Sequence, residues 1–254
     1  MNDRLPVAVG IRDIKKETPS VSTIRFDHSF SFIPGQFVMV WVPGVDEIPM
    51  ALSSGSSITV QDVGEATAAL TALAPGDMVG IRGPYGNGFP LKQGTLAIAG
   101  GLGAAPLLPL AETGHVRTCV LGARSAKDLV FRERFETVTD LRVMTDDGSA
   151  GRKGFAVQGM DGLDLPDYSQ ICVCGPEVMM VSVLDRLRAT DLADAGRFSL
   201  HRYMKCGCGV CGSCCIDPSG ARVCREGPVF SGTDLIGTEF GNYSRDGSGR
   251  KRPF

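Results

Sequence analysis

Six of the nine cysteines in this 254-residue chain lie close together near its carboxyl terminus, and they constrain the fold more than any other feature. The six are Cys206, Cys208, Cys211, Cys214, Cys215 and Cys224. The segment around them is rich in glycine and has little to pack except what its thiols bind. The remaining three cysteines lie in apolar runs typical of strands, where a free cysteine behaves as a small hydrophobic residue.

The spacing of the clustered cysteines fits two kinds of iron–sulfur site. Cys206, Cys211 and Cys214, with the later Cys224, match the plant-type [2Fe–2S] pattern of C-x4-C-x2-C followed by a distant cysteine. A [4Fe–4S] pattern of C-x2-C-x2-C starts two residues later, but Pro218 stands where its fourth cysteine is required. The complete pattern predicts a [2Fe–2S] cluster with the ligands Cys206, Cys211, Cys214 and Cys224.

Zinc is the rival occupant, because thiolates also bind zinc. Zinc ribbons usually supply paired C-x2-C knuckles, and here only Cys211 and Cys214 form one. The glycines between the cysteines suit a tight loop whose backbone N–H groups approach the cluster sulfurs. Cys208 and Cys215 are then expected to be neighbours of the cluster and not its ligands.

Charge and hydropathy disfavour several other functions. The formal net charge is −2 and the sequence pI is about 5.9, which gives no electrostatic case for nucleic-acid binding. No long apolar run follows Pro6, and the longest apolar stretch, Leu102 to Ala111, is about half a membrane span. These features predict a soluble, cytoplasmic protein without a disulfide framework or membrane contact. The basic residues 245–254 are expected to form a frayed tail.

The residue pattern divides the chain into three segments. Residues 1–94 contain many short β-forming runs, such as Phe37–Val42, which predicts a barrel or sandwich with a short helix at Ala66–Leu73. Residues 95–198 alternate strands with helices, which predicts a parallel sheet covered on both faces. Residues 199–254 form a small cysteine-rich module.

Glycine turns follow two strands of the second segment. They are Gly100-Gly101-Leu102-Gly103 and Cys174-Gly175-Pro176, the latter before a helix predicted at 177–188. Both fall at strand carboxyl ends, where open α/β sheets bind ligands, and a helix amino terminus suits a pyrophosphate. Neither turn is the G-x-G-x-x-G fingerprint, and packing alone explains such a glycine run about as well. In the first segment, Gly83–Phe89 is either a domain-linking loop or a loop laid against a flat cofactor.

Over almost the whole chain these motifs resemble the ferredoxin–NADP reductase superfamily. The resemblance rests on Pro34-Gly35-Gln36-Phe37, Gly83-Pro84-Tyr85-Gly86, the two glycine turns and Gly122-Ala123-Arg124. Within that superfamily, the cysteine spacing is similar to that of the electron-transfer subunits of type B dihydroorotate dehydrogenases. Its continuation is Val223-Cys224-Arg225-Glu226-Gly227-Pro228-Val229-Phe230.

The resemblance implies FAD on an antiparallel β-barrel, NAD on a parallel-sheet nucleotide-binding domain, and a [2Fe–2S] cluster near a subunit interface. To FAD it assigns Ile48, Pro49, Met50, Ala51, Gly64, Ala66, Thr67, Gly83, Gly86 and Gly88. To NAD it assigns Gly100, Gly101, Gly103, Cys174, Gly175 and Pro176. The expected partner is an FMN-containing dihydroorotate dehydrogenase catalytic subunit in a heterotetramer of two copies of each, because three modules leave this chain no room for a catalytic barrel.

The function implied by the resemblance is an electron relay in pyrimidine biosynthesis. Electrons pass from the catalytic subunit through the cluster and FAD to NAD, so this chain needs no catalytic acid or base. The alternatives are a subunit of an NADPH–ferredoxin transhydrogenase or hydrogenase, and, in another class, a zinc-binding adaptor without enzymatic activity. The choice between NAD and NADP stays open. Arg124 could bind the 2′-phosphate of NADP, or it could instead form an ion pair with Asp128 or Glu133.

One segment departs from the family pattern. The flavin motif of the family commonly supplies an arginine for the FAD pyrophosphate and a hydroxyl residue near the flavin. Ile48 and Ala51 occupy those positions here, so contacts there are expected through the backbone. Ser53 and residues 64–67 are the candidates to compensate.

Overall fold

The first segment closes into a six-stranded antiparallel barrel in the computed structural model, which describes residues 5–254. The strands are β1 (Val7–Thr18), β2 (Val21–Phe26), β3 (Phe37–Val42), β4 (Asp46–Ser54), β5 (Ser57–Gln61) and β6 (Met78–Tyr85). They pair in the order β1-β2-β5-β4-β3-β6, and β6 closes the barrel by pairing with β1. Alternate side chains fill the interior, among them the fully buried Ile24, Phe26, Val38 and Leu52.

A short helix, α1 (Glu65–Thr71), connects β5 to β6 and buries Leu70 against the barrel. Its amino terminus is closed by Thr67, whose hydroxyl accepts the backbone N–H groups of Val63 and Gly64 at 3.0 and 2.9 Å. This side-chain cap satisfies N–H groups that a helix start otherwise leaves unpaired. The observed helix agrees with the predicted span to within the usual uncertainty of helix ends.

The second segment forms a parallel sheet. Its strands are β7 (Thr95–Gly100), β8 (Val116–Ala123), β9 (Asp140–Thr145), β10 (Arg152–Lys153), β11 (Ile171–Cys174) and β12 (Gly196–Ser199). They lie in the order β10-β9-β8-β7-β11-β12. The chain therefore runs outward from β7 to β10 and then restarts on the other side, which places the topological switch between β7 and β11.

Helices cover both faces of this sheet. They are α2 (Ala104–Glu112), α3 (Arg132–Val138) and α4 (Glu177–Arg188). α2 and α3 pack on one face, and α4 packs on the other with residues 156–160. Because the central strands are buried on both faces, they are uniformly apolar, and this is why their positions could be predicted.

The cysteine module consists of short elements after β12. They are β13 (Cys215–Ile216), β14 (Ala221–Arg222), β15 (Val229–Ser231), α5 (Gly232–Leu235), β16 (Tyr243–Arg245) and β17 (Lys251–Pro253). β15 pairs antiparallel with β12 and becomes the seventh strand of the sheet. β16 and β17 form a hairpin, and Arg245 pairs with Asp217, so the expectation of a frayed tail at 245–254 is wrong.

The predicted fold class is confirmed: an antiparallel barrel, a parallel-sheet domain and a small carboxyl-terminal module follow one another along the chain. One apolar cluster joins Phe37 and Met39 of the barrel to Cys214 and Cys224 of the cysteine module. The module is therefore packed against the barrel as well as the sheet. Within residues 5–254, no helix combines the length and apolar character needed to cross a membrane.

Candidate functional site

The cysteine loop (residues 206–215) turns so that backbone N–H groups face its sulfurs. Three glycines with positive φ make the turns: Gly207 (68°), Gly209 (81°) and Gly212 (76°). The N–H of Val210 reaches Cys206 Sγ at 3.3 Å, and the N–H of Gly209 reaches Cys224 Sγ at 3.2 Å. The N–H of Cys224 in turn lies 3.5 Å from Cys214 Sγ. Such donors stabilise thiolate charge and tune the potential of a cluster that the sulfurs hold.

Two predicted ligands differ sharply in acidity. Burial opposes ionisation of Cys206, but backbone N–H donors, first that of Cys211, outweigh it and lower its pKa to about 6. Burial raises the pKa of Cys224 to about 12, and the neighbouring Cys214 thiol adds to that shift. Because a coordinated metal ion removes a thiol proton outright, metal binding here is expected to release protons.

The cysteine loop docks on the outer face of the barrel. Gly207 lies against Met39 of β3, where an added Cβ would stand 2.5 Å from Met39 Cγ. Arg82 of β6 donates a hydrogen bond from Nη1 to the carbonyl oxygen of Cys206 at 3.2 Å. These contacts fix the first predicted cluster ligand relative to the barrel.

The glycine-rich loop after β6 holds the other end of the cysteine module. The N–H of Asn87 donates to the Gly227 carbonyl at 2.6 Å, and its Nδ2 donates to the Glu226 carbonyl at 2.9 Å. A Cβ on Gly86 would stand 2.5 Å from Pro228 Cδ. This loop therefore clamps the residues after the last predicted ligand, a role that neither sequence interpretation of Gly83–Phe89 included.

A depression of about 330 Å³ lies where that loop meets the cysteine loop. Its lining residues are Tyr85, Gly86, Asn87, Gly207, Cys208, Cys224 and Arg225. The family resemblance assigns Gly86 to FAD, and the cysteine spacing assigns Cys224 to the cluster. Both residues line the same depression. The aromatic ring of Tyr85 contributes a flat surface beside them.

Replacing Gly207 with alanine is expected to loosen the cysteine loop. The φ of 68° costs about 1–2 kcal/mol for a residue with a Cβ. Overpacking against the fully buried Met39 adds about 1–3 kcal/mol. Gly220→Ala is the matched control, because its φ is 70° and its Cβ would meet no atom within 4 Å. Urea unfolding should find Gly207→Ala the less stable of the two, and equal losses would show that the Met39 contact contributes nothing.

The two glycine turns of the parallel sheet meet at its carboxyl edge. Because β7 pairs with β11, Gly100–Gly103 and Cys174–Pro176 lie side by side at the topological switch. A Cβ on Gly103 would collide with the Cys174 carbonyl, and one on Gly175 would stand 3.0 Å from Gly100 Cα. Gly101 is open instead, with no atom within 4 Å of an added Cβ. All six residues that the resemblance assigns to NAD thus share this edge.

A second cleft, of about 690 Å³, lies beyond β8 and β9. Its lining residues are Arg124, Ser125, Ala126, Lys127, Asp128, Asp147 and Ser149. Ser125 Oγ donates to Asp128 at 2.6 Å. Within the described residues, Arg124 and Lys127 have no ion-pair partner, so neither Asp128 nor Glu133 neutralises Arg124. The cleft is therefore bordered by two cations that form no ion pair and by the carboxylates of Asp128 and Asp147.

The remaining residues assigned to FAD lie on the barrel and on α1. Ile48–Ala51 form the middle of β4 and pair with β3, and residues 64–67 form the start of α1. The hydroxyls of Ser53 and Thr67, which could replace the missing side chains of the flavin motif, already have hydrogen-bond partners. Ser53 is 1% exposed and bonded to Ser57 at 3.0 Å, and Thr67 caps α1. Phosphate contacts here would therefore depend on backbone N–H groups.

A buried charge network connects the nucleotide edge to the cysteine module. The side chain of Arg202 is 3% exposed and binds both carboxylate oxygens of Glu177, at 2.6 and 3.0 Å. Its Nε donates to Glu239 at 3.0 Å, and Glu239 also accepts from Arg245 at 3.3 Å. Burial disfavours the charged guanidinium, but the two carboxylates outweigh burial and raise the pKa of Arg202. Glu177 directly follows the Cys174–Pro176 turn.

Sequence reasoning missed most of the residues that position this site. Asn87 and Arg225 lie inside motifs that carry the family resemblance, so the motifs are a signal that could have found them. Arg82 pairs with a carbonyl 124 positions away along the chain, and no local pattern indicates such a contact. The same applies to the pairing of Arg202 with Glu177 and Glu239.

The donor set of the cysteine loop fits a [2Fe–2S] cluster. Four thiols at the ligand positions match the number that such a cluster takes from cysteine. Sulfurs of Cys206, Cys214 and Cys224 already accept backbone N–H groups.

Two solved structures share this architecture. A structure described as an NADH-dependent reduced ferredoxin–NADP oxidoreductase superposes with a TM-score of 0.79 at 30% identity, covering 89% of this chain and 88% of that chain. The flavohaem-like FAD/NAD-binding domain of nitric oxide dioxygenase from Vibrio cholerae superposes with a TM-score of 0.67 at 22% identity, covering 76% of this chain and 98% of that chain. The second likeness shows the fold alone.

Sequence comparisons are more specific. A family model described as the iron–sulfur cluster binding domain of dihydroorotate dehydrogenase B matches residues 201–236. The probable dihydroorotate dehydrogenase B (NAD+) electron transfer subunit of Methanocella arvoryzae is 49% identical, covering 97% of this chain and 98% of the relative. The corresponding protein of Methanocaldococcus jannaschii is 46% identical over the same shares. This chain therefore belongs to the family of dihydroorotate dehydrogenase B electron transfer subunits.

Proposed function

We propose that this chain is an oxidoreductase subunit that transfers electrons from a catalytic partner to NAD, using a [2Fe–2S] cluster and FAD. The observation that carries the proposal is the depression between the β6 loop and the cysteine loop. There, Tyr85 and Gly86 of the barrel side lie on the same wall as Cys224 of the cluster side. A flavin seated against this wall would be next to the cluster, which short-range electron transfer requires.

When bound, the cluster exchanges single electrons, FAD exchanges one or two, and NAD accepts a hydride. The residues of this chain serve to hold, orient and tune those groups. Cys206, Cys211, Cys214 and Cys224 ligate the cluster, and backbone N–H groups of the glycine turns face their sulfurs. Tyr85 and Gly86 would hold the flavin ring, and Ile48–Ala51 with the start of α1 would hold its phosphates.

The nicotinamide nucleotide binds at the carboxyl edge of the parallel sheet. Gly100–Gly103 and Cys174–Pro176 receive its pyrophosphate and nicotinamide, because they lie at the topological switch where such sheets bind ligands. The second cleft, bordered by Arg124 and Lys127, receives the adenosine end. Arg124 and Lys127 can contact nucleotide phosphates there, beside the carboxylates of Asp128 and Asp147.

The partner is an FMN-containing subunit that oxidises dihydroorotate to orotate for pyrimidine biosynthesis, in a complex of two copies of each chain. Family membership supports this, because the relatives are named as electron transfer subunits of an NAD-dependent enzyme. Nine free cysteines support a cytoplasmic location, where thiols stay reduced.

Purification of the chain together with its catalytic partner tests the function. The complex should contain FAD, FMN, iron and sulfide, and it should reduce NAD when dihydroorotate is added. Its mass in solution should correspond to two copies of each chain. A cofactor-loaded complex that does not couple dihydroorotate oxidation to NAD reduction would contradict the proposal.

A ferredoxin-linked transhydrogenase subunit is the second candidate. It is favoured by the 30% identity and full-domain superposition with the NADH-dependent reduced ferredoxin–NADP oxidoreductase. The same preparation separates the two functions. A transhydrogenase subunit would copurify with a partner that exchanges electrons with ferredoxin and NADPH, and dihydroorotate would have no effect.

A further inference from the structure

An ion pair on the barrel wall touches the cysteine loop at its first ligand position. Arg82 and Glu47 form a two-pronged pair with N–O distances of 2.7 and 2.6 Å. Their side chains are 12% and 24% exposed, so they are partly shielded from solvent. We propose that the two members of this pair tune the reduction potential of the cluster in opposite directions, with Arg82 raising the potential and Glu47 lowering it. The inference rests on the proposed function, because it requires the cluster to be present.

Each nitrogen of the Arg82 guanidinium donates a hydrogen bond, either to Glu47 or to the cysteine loop. Nε and Nη2 bind Glu47, while Nη1 donates to the carbonyl oxygen of Cys206 at 3.2 Å. The guanidinium carbon also lies 5.9 Å from the centroid of the Tyr85 ring, which lines the depression. Arg82 is therefore a positioning residue that acts on the cluster through the Cys206 backbone.

The strand register explains why the pair stands at this place. β3 lies between β4 and β6, and it pairs Trp41 with Glu47 and Met39 with Arg82. The two charged residues therefore reach toward each other across β3, on the face where Gly207 packs on Met39. The cysteine loop packs on part of this face, and the partial burial of the pair limits its screening by water and salt.

The two charges act on the cluster with opposite sign. Reduction adds one negative charge, so a nearby cation stabilises the reduced form and raises the potential, while an anion does the reverse. Arg82 is the closer of the two, because it contacts Cys206 directly and Glu47 contacts Arg82. The effects of the two charges on the reduction potential nearly cancel. Each effect becomes measurable only when the other charge is removed by substitution.

Because the two charges act in opposite directions, the direction of the shift in reduction potential tests the inference. Potentiometric titration of the cluster, followed by electron paramagnetic resonance, should give a lower potential for Arg82→Gln and a higher potential for Glu47→Gln than for the unmodified chain. The double variant should lie between them, and Arg82→Lys should lie near the unmodified value. Arg134→Gln is the control, and it should leave the reduction potential unchanged, because Arg134 pairs with Glu112 on the outer surface of α2 and α3.

Iron and sulfide analysis of each preparation separates two kinds of failure. Shifts of equal sign in the two single variants, or no shifts, in cluster-loaded protein would overturn the inference and leave the proposed function standing. An unmodified chain that binds no iron and sulfide would overturn both. If Arg82→Gln fails to load, Glu47→Gln decides alone: a higher potential supports the inference, and an unchanged or lower one overturns it.

Discussion

Replacing Arg202 with methionine is expected to destabilise the folded chain by about 3–5 kcal/mol, because buried Glu177 loses its counter-charge and buried Glu239 keeps only Arg245. Glu177 and Glu239 have side chains that are 6% and 0% exposed, so water cannot solvate the charges that remain. The cost falls on the junction between α4 and the cysteine module, which these residues connect. Urea or thermal unfolding measures the loss.

Arg188→Met is the matched control for Arg202→Met. Arg188 pairs with Asp185 on the exposed surface of α4, with side chains 53% and 63% exposed. Exposed pairs contribute about 0–1 kcal/mol, so this change should be small. A triple variant that also carries Glu177→Gln and Glu239→Gln should recover part of the loss. Equal effects of the two arginine changes would show that the network has no role in stability.

Replacing Gly103 with alanine is expected to have the second large effect on stability. The change should destabilise the chain, although alanine has the higher helix propensity. Gly103 has φ of −58° and ψ of −13°, so alanine would favour its helical backbone by about 1 kcal/mol. The added Cβ would, however, collide with the carbonyl carbon and oxygen of Cys174. Neither backbone can move freely at the switch point, so we expect a net loss of about 1–3 kcal/mol and weaker NADH binding.

Gly64→Ala provides the comparison for Gly103→Ala in unfolding experiments. Gly64 has an extended backbone, and its added Cβ would meet no atom within 4 Å. The change should therefore cost less than about 1 kcal/mol. If Gly103→Ala instead proved as stable as the unmodified chain, with an unchanged KM for NADH, the close contact between the two turns would be disproved.

The parts of the fold that could be predicted are those with a strong local pattern. The strand Phe37–Val42 and the helix Glu177–Arg188 have the predicted bounds, because a continuous apolar run or a helical period specifies each of them. The cysteine cluster could be found because ligand spacing is itself a local property. The barrel, in contrast to a sandwich, came from the family resemblance and not from strand patterns.

The parts that could not be predicted depend on distant pairing. β15 contains three residues, and only its bonds to β12 make it part of the sheet. The hairpin at the carboxyl terminus looks like a solvated tail by composition, yet Arg245 bonds to Glu239 and to the carbonyl of Cys215. The Arg82–Glu47 pair is likewise a product of register across β3, which residue spacing in the chain does not encode.

The cysteine loop and the barrel together are expected to hold an electron-transfer centre that exchanges electrons with NADH. The most direct test is electron paramagnetic resonance of the anaerobically purified chain before and after addition of NADH. We expect no cluster signal before addition and the spectrum of a reduced [2Fe–2S] cluster afterwards. Protein that contains zinc in place of iron, or an iron–sulfur cluster that NADH does not reduce, would contradict this expectation.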